Sequence, residues 1–112
     1  MMSLRKLQAL TALRRELLPF VASLEDFDIL VAIGAAEEDR SPLGFKQLRL
    51  LNLAAPSTLQ RRLKRLGANR IIKTVTLSGD GRRVVYSLTA RTRAAYQEFM
   101  SRVSGADRGC GG

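Results

Sequence analysis

The hydrophobic pattern of this 112-residue chain changes period at Gly67, and that switch constrains the fold more than any other feature. Before it, in "AAPSTLQRRLKRLGANRII", Leu59, Leu63 and Leu66 recur at spacings of four and three. At about 100° per residue the three share a sector of about 60°, while Ser57, Arg61, Lys64 and Arg65 lie opposite. The segment predicts an amphipathic helix anchored by leucines, with basic residues facing out. Pro56 suits its first position, where a missing N–H is no loss. After Gly67, "RIIKTVTL" and "RRVVYSL" are β-branched and alternating, with "SGDG" between them. That pattern predicts a hairpin over residues 70–88 with a glycine-containing turn.

Upstream, Leu4, Leu7, Leu10, Leu13 and Leu17 recur at three and four, the mark of an amphipathic helix ending before Pro19. Its stripe faces either the chain's own core or a partner subunit. Ser23 followed by Asp26 is a variant capping box, which predicts a second helix from Leu24 to about Glu38 burying Leu24, Phe27, Leu30 and Val31. Pro42 and Gly44 in "EEDRSPLG" end it. "FKQLRLLNL" predicts a short third helix with Phe45, Leu48 and Leu51 inward, and Asn52 stands where a tight turn wants a left-handed residue. Thr89 is placed to cap a last helix over about residues 90–103, with an apolar stripe of Tyr96, Phe99 and Val103. The expected class is mainly α with a small β-hairpin (α+β). The expected organisation is an N-terminal helix within residues 1–22 as a candidate dimerisation element, one domain over 23–103, and a disordered tail over 104–112, "SGADRGCGG".

The net charge of +9 is unevenly placed. Residues 1–39 hold four basic residues against seven acidic ones, whereas residues 40–112 hold fifteen against three. All of the excess is C-terminal, which suggests an oriented contact with a polyanion, nucleic acid before an anionic membrane surface. No apolar run approaches the roughly 18 residues of a membrane span, and the N-terminus resembles no secretory signal, so a cytoplasmic location is expected. An enzyme is not expected. The chain has no His, its one cysteine, Cys110, sits among glycines, its carboxylates form no acid–base pair or metal cluster, and no glycine-rich phosphate loop is present. No cofactor or metal is expected either.

Helix, short helix, turn, basic helix and arginine-tipped hairpin is the order of a winged helix-turn-helix, with about five helices and a two- or three-stranded wing. From about Phe27 to Tyr96 the sequence resembles the MarR-like winged-helix regulators, through "PSTLQRRLKRL" and "DGRRVVYSLTARTRAAY". The resemblance implies that the fourth helix, about 56–66, enters a DNA major groove while the wing, about 78–83, reaches phosphate or the minor groove. At the matching positions Arg61 suits the O6 and N7 of guanine, Gln60 suits adenine, and Ser57 and Thr58 reach bases or phosphates. Lys64, Arg65, Lys46 and Arg49 read as phosphate contacts, with Arg82 and Arg83 at the wing. Ala55 caps poorly, leaving free amides for a phosphate oxygen, for the hydroxyl of Ser57 or Thr58, or for water. Asp80 is expected to pair with Arg82.

Three positions depart from the family's pattern. Arg62 replaces a usual core leucine and is expected to lie along the surface, Arg70 replaces a glycine, so that Asn69 or Gly67 should supply the left-handed residue, and Thr92 replaces another glycine. The family dimerises through a long C-terminal helix; the leucine stripe and the face of Tyr96, Phe99 and Val103 are expected to do that work in a homodimer. The function implied is sequence-specific double-stranded DNA binding by a nucleoid-associated transcriptional regulator with an unidentified effector. The alternatives are a winged-helix protein-interaction module and a non-specific chromosome-binding protein.

Overall fold

The computed structural model describes residues 3–79 and 81–111, with side chains to residue 105. The element order is α1 (Leu4–Leu17), α2 (Leu24–Glu38), α3 (Phe45–Leu50), α4 (Pro56–Ala68), β1 (Ile72–Leu77), β2 (Arg83–Leu88) and α5 (Ala90–Gly111). The class is α+β and the architecture a winged helix-turn-helix. Its wing is a two-stranded antiparallel hairpin in which Ile72 faces Leu88 and Leu77 faces Arg83. One further rung, from the Tyr86 N–H to the Leu43 carbonyl at 2.9 Å, ties the loop before α3 to the outer edge of β2. Gly44 makes that approach possible, since a Cβ there would lie 2.9 Å from the Val84 carbonyl oxygen.

The helix starts follow their capping residues. Ser3 Oγ accepts from the Lys6 N–H at 3.2 Å and Ser23 Oγ from the Asp26 N–H at 3.1 Å, each satisfying an amide that the helix itself cannot. The return half of the expected box at α2 is absent, because the Asp26 carboxylate is engaged by arginines of α4. Three of the connections turn through a left-handed residue that is not glycine: Arg40 (φ 57°) after α2, Asn52 (φ 56°) after α3 and Arg70 (φ 58°) after α4. Asn52 matches expectation. Arg70 does not, since Asn69 and Gly67 keep ordinary φ and the arginine itself takes the strained conformation. Bonds from the Arg70 N–H to the Gly67 carbonyl (3.1 Å) and from the Ile71 N–H to the Leu66 carbonyl (2.9 Å) hold it there.

One core joins the elements. Leu59, Leu63 and Leu66 of α4 are buried with Leu48 of α3, Ile72 and Leu88 of the hairpin, and Phe99 of α5. From α2 come Ile29, Leu30 and Ile33, not the expected Leu24, which is 77% exposed, or Val31, also exposed. The segment is apolar around most of its circumference, so periodicity could not choose the buried sector. Leu51 is exposed because α3 ends at Leu50 and the chain turns away there.

Thr89 precedes α5 as expected but does not cap it: its hydroxyl donates to the Arg70 carbonyl at 2.9 Å and pairs with the Thr92 hydroxyl at 3.0 Å. The last helix runs past residue 103 to Gly111, where a disordered tail was expected. Cys110 and Asp80, and with Asp80 the expected pair with Arg82, fall outside the described side chains. None of the α1 residues is buried, and the helix lies along α5 with Leu4 84% exposed.

Candidate functional site

The outer face of α4 is set by what its inner face buries. With Leu59, Leu63 and Leu66 in the core, Ser57, Gln60, Arg61 and Lys64 all face solvent, and Thr58 is half-buried. Arg61 and Lys64 form no ion pair among the described residues, and neither do Lys46 and Arg49, exposed on α3 across the turn. No side chain caps the start of α4 at Ala55, so neither Ser57 nor Thr58 supplies the expected hydroxyl bond to its first amides. Arg82 is exposed in the loop between the strands, where Gly79 (φ 146°) and Gly81 (φ 76°) take positive-φ conformations that side-chain-bearing residues rarely adopt. Arg83 opens β2 and is also exposed, but its guanidinium turns back to donate to the Pro42 carbonyl at 3.3 Å.

Arg65 is placed differently from Arg61 and Lys64. On the helical wheel it falls, with Thr58 and Arg62, on the flank of α4 next to the solvent face, and that flank meets the first turn of α2. There Arg65 Nη2 donates to Asp26 Oδ2. Arg62 Nη1 donates to Asp26 Oδ1 at 3.3 Å and Ser23 Oγ at 3.1 Å, and its Nη2 donates to Glu25 Oε1 at 2.9 Å. Arg65, expected as a phosphate contact, is thus paired with Asp26 through one nitrogen while its side chain stays 46% exposed, and Arg62, expected on the surface, is largely buried against α2. The sequence shows the ingredients, two adjacent carboxylates at the start of one helix and two arginines three apart on one flank of another, but not their pairing.

A second cluster was not anticipated. Glu37 near the end of α2 accepts from the Ser87 hydroxyl (2.7 Å), the Leu88 N–H (2.8 Å) and Arg93 Nη2 (2.8 Å), joining α2, β2 and α5 through one carboxylate. Burial pushes its pKa up, but the two hydrogen bonds and the Arg93 guanidinium more than offset this and hold it below the ordinary value. Between α2 and α5 lies an open groove of about 530 Å³ whose lining includes the apolar Leu30, Val31, Leu88 and Met100 together with Tyr96 and the charged Glu38 and Arg93. The Tyr96 hydroxyl is buried without a hydrogen-bond partner, and burial pushes its pKa up. Among the described residues no three His, Cys, Asp or Glu side chains converge as a metal site would require, and no helix is long and apolar enough to cross a membrane.

No protein-family model and no curated protein matches the sequence. Among solved structures, the chain is similar to the crystal structure of RV1404 from Mycobacterium tuberculosis, with a TM-score of 0.68 over 94% of this chain and 71% of that one. Sequence identity is 19%, so the likeness is one of fold.

Proposed function

We infer that this chain binds double-stranded DNA with sequence preference, as a small transcriptional regulator similar to the MarR-like winged-helix proteins. In this reading α4 enters the major groove, Arg61 and Gln60 address base edges, and Ser57 and Thr58 reach bases or phosphates at the uncapped helix start. Lys64, with Lys46 and Arg49 of α3, sits on phosphates, which position the helix without reading sequence. Arg82 and Arg83 at the wing meet the backbone or the minor groove. The protein acts as a homodimer on chromosomal DNA in the cytoplasm, each subunit reading half of a near-palindromic site.

The single observation that carries the reading is the pairing of opposites on α4: three leucines wholly committed to the core, and a facing row of Gln60, Arg61 and Lys64 that is exposed and free of acidic partners among the described residues. A helix so held presents its donors in a fixed orientation, which base recognition requires. Selection of bound fragments from random and genomic DNA tests it. Enrichment of one short near-palindromic sequence is the expected result. Retention without sequence preference would leave a non-specific chromosome binder, and no retention of duplex would leave a protein-interaction module.

A further inference from the structure

The α2–α4 charge cluster lies outside the DNA-facing row, yet it includes a cation on the edge of that row. Asp26 is fully buried. It and Glu25 face Arg62 and Arg65, so two carboxylates balance two guanidiniums. Breaking a buried ion pair leaves an uncompensated charge, and Arg62, its side chain 22% exposed, is bound into the cluster through Ser23, Glu25 and Asp26 together. Arg65 is held differently. Its side chain is 46% exposed, one nitrogen reaches Asp26, and its helical position borders Arg61 and Lys64 on the solvent face.

We propose that Asp26 is a positioning residue that holds Arg65 back from nucleic-acid phosphate, so that, with Arg62 also bound into the cluster, the protein docks on duplex DNA with only Arg61 and Lys64 of the four cations of α4. The proposal rests on the reading of α4 as the DNA-facing helix. Its consequence is selectivity. A cation released onto phosphate strengthens binding to every sequence alike, and that non-specific affinity is what a regulator must keep low to find its own site.

Salt dependence of binding separates this role from a merely structural one. The full chain and its Arg65→Ala, Asp26→Asn and Asp26→Asn/Arg65→Ala variants are titrated with a random-sequence duplex between about 50 and 200 mM salt, and the slope of log K against log salt is read. Arg65→Ala should leave the slope unchanged. Asp26→Asn should steepen it by about 0.9, the share of one phosphate contact, and the double variant should restore the wild-type value. A slope flattened by about 0.9 in Arg65→Ala would show Arg65 already on phosphate and overturn the proposal. An unchanged slope in folded Asp26→Asn would do the same. Should Asp26→Asn fail to fold, by its circular dichroism, Asp26→Ser with and without Arg65→Ala takes its place, with the same steepened and restored slopes expected and an unchanged slope in folded Asp26→Ser overturning the proposal. A wild-type chain that binds no duplex even at the lowest salt removes the underlying reading of α4, and the proposal with it.

Discussion

Arg61 and Arg65 stand four positions apart on one helix and have different fates, because about 400° of rotation leaves them 40° apart and only one of them over the acidic turn of α2. Arg61 is exposed and forms no ion pair among the described residues, as the proposed planar, two-point contact with guanine requires. Arg61→Ala is expected to weaken binding to the selected sequence by about 1–3 kcal/mol and to relax preference at one base position, as measured by competition with single-base variants. An equal loss on random DNA would contradict that role. Arg70 makes a prediction of another kind. Its φ of 58° costs a side-chain-bearing residue about 1–2 kcal/mol, while glycine costs about 0.4–1 kcal/mol through the greater freedom of the unfolded chain. Arg70→Gly should therefore stabilise the fold by roughly 0.5–1 kcal/mol in denaturant unfolding, and a loss of stability would show that the arginine side chain holds more than its backbone costs. At this scale residue chemistry was legible and partner choice was not. Nothing in "QRRLKR" tells which cations a neighbouring helix will claim, since Asp26 lies 39 positions away from Arg65.

The elements themselves were legible wherever one period dominated. Three leucines on an otherwise polar helix announced α4 and its inner face together, and β-branched alternation announced both strands of the wing. Where every face was apolar, as in α2, the pattern gave the helix but not its buried side, which packing against α4 and the hairpin decided. The joints between elements were the least legible, because they are made by single polar groups acting at long range. Glu37 is the clearest of these, fastening the end of α2 to β2 and α5. Its folded pKa lies below the unfolded value near 4.5, so the unfolded chain takes up the proton first on acidification. The stability it contributes is complete above that value and is lost as pH falls through the folded pKa. Glu37→Gln should therefore be less stable than wild type at neutral pH and lose less stability as pH falls below 4.5, in denaturant midpoints read across that range. Parallel acid profiles for the two proteins would show that the joint carries no charge-dependent stability.

For the whole molecule, the division of charge along the chain becomes a division of labour. Part of the acidic N-terminal third is spent inside the protein, with Glu25 and Asp26 neutralising Arg62 and Arg65, and Glu37 neutralising Arg93. The cations left over on α3, α4 and the wing form the candidate DNA face. Helix α1 buries none of its residues: Leu13 and Leu17 of its stripe pack against the chain's own core, while Leu4 and Leu7 are exposed, and the proposed homodimer would cover that exposed end. Sedimentation at micromolar concentration should give a dimer, and Leu7→Lys should shift it toward monomer; a wild-type monomer would end the two-fold model while leaving the DNA face intact. The central claim concerns that face, and backbone amide shifts recorded while a selected duplex is titrated into the labelled protein test it most directly. The account expects the largest changes at Ser57 to Lys64, at Lys46 and Arg49, and at Gly81 to Arg83, with the α2–α5 groove unmoved. Changes confined to that groove or to α1, with the outer face of α4 silent, would contradict it.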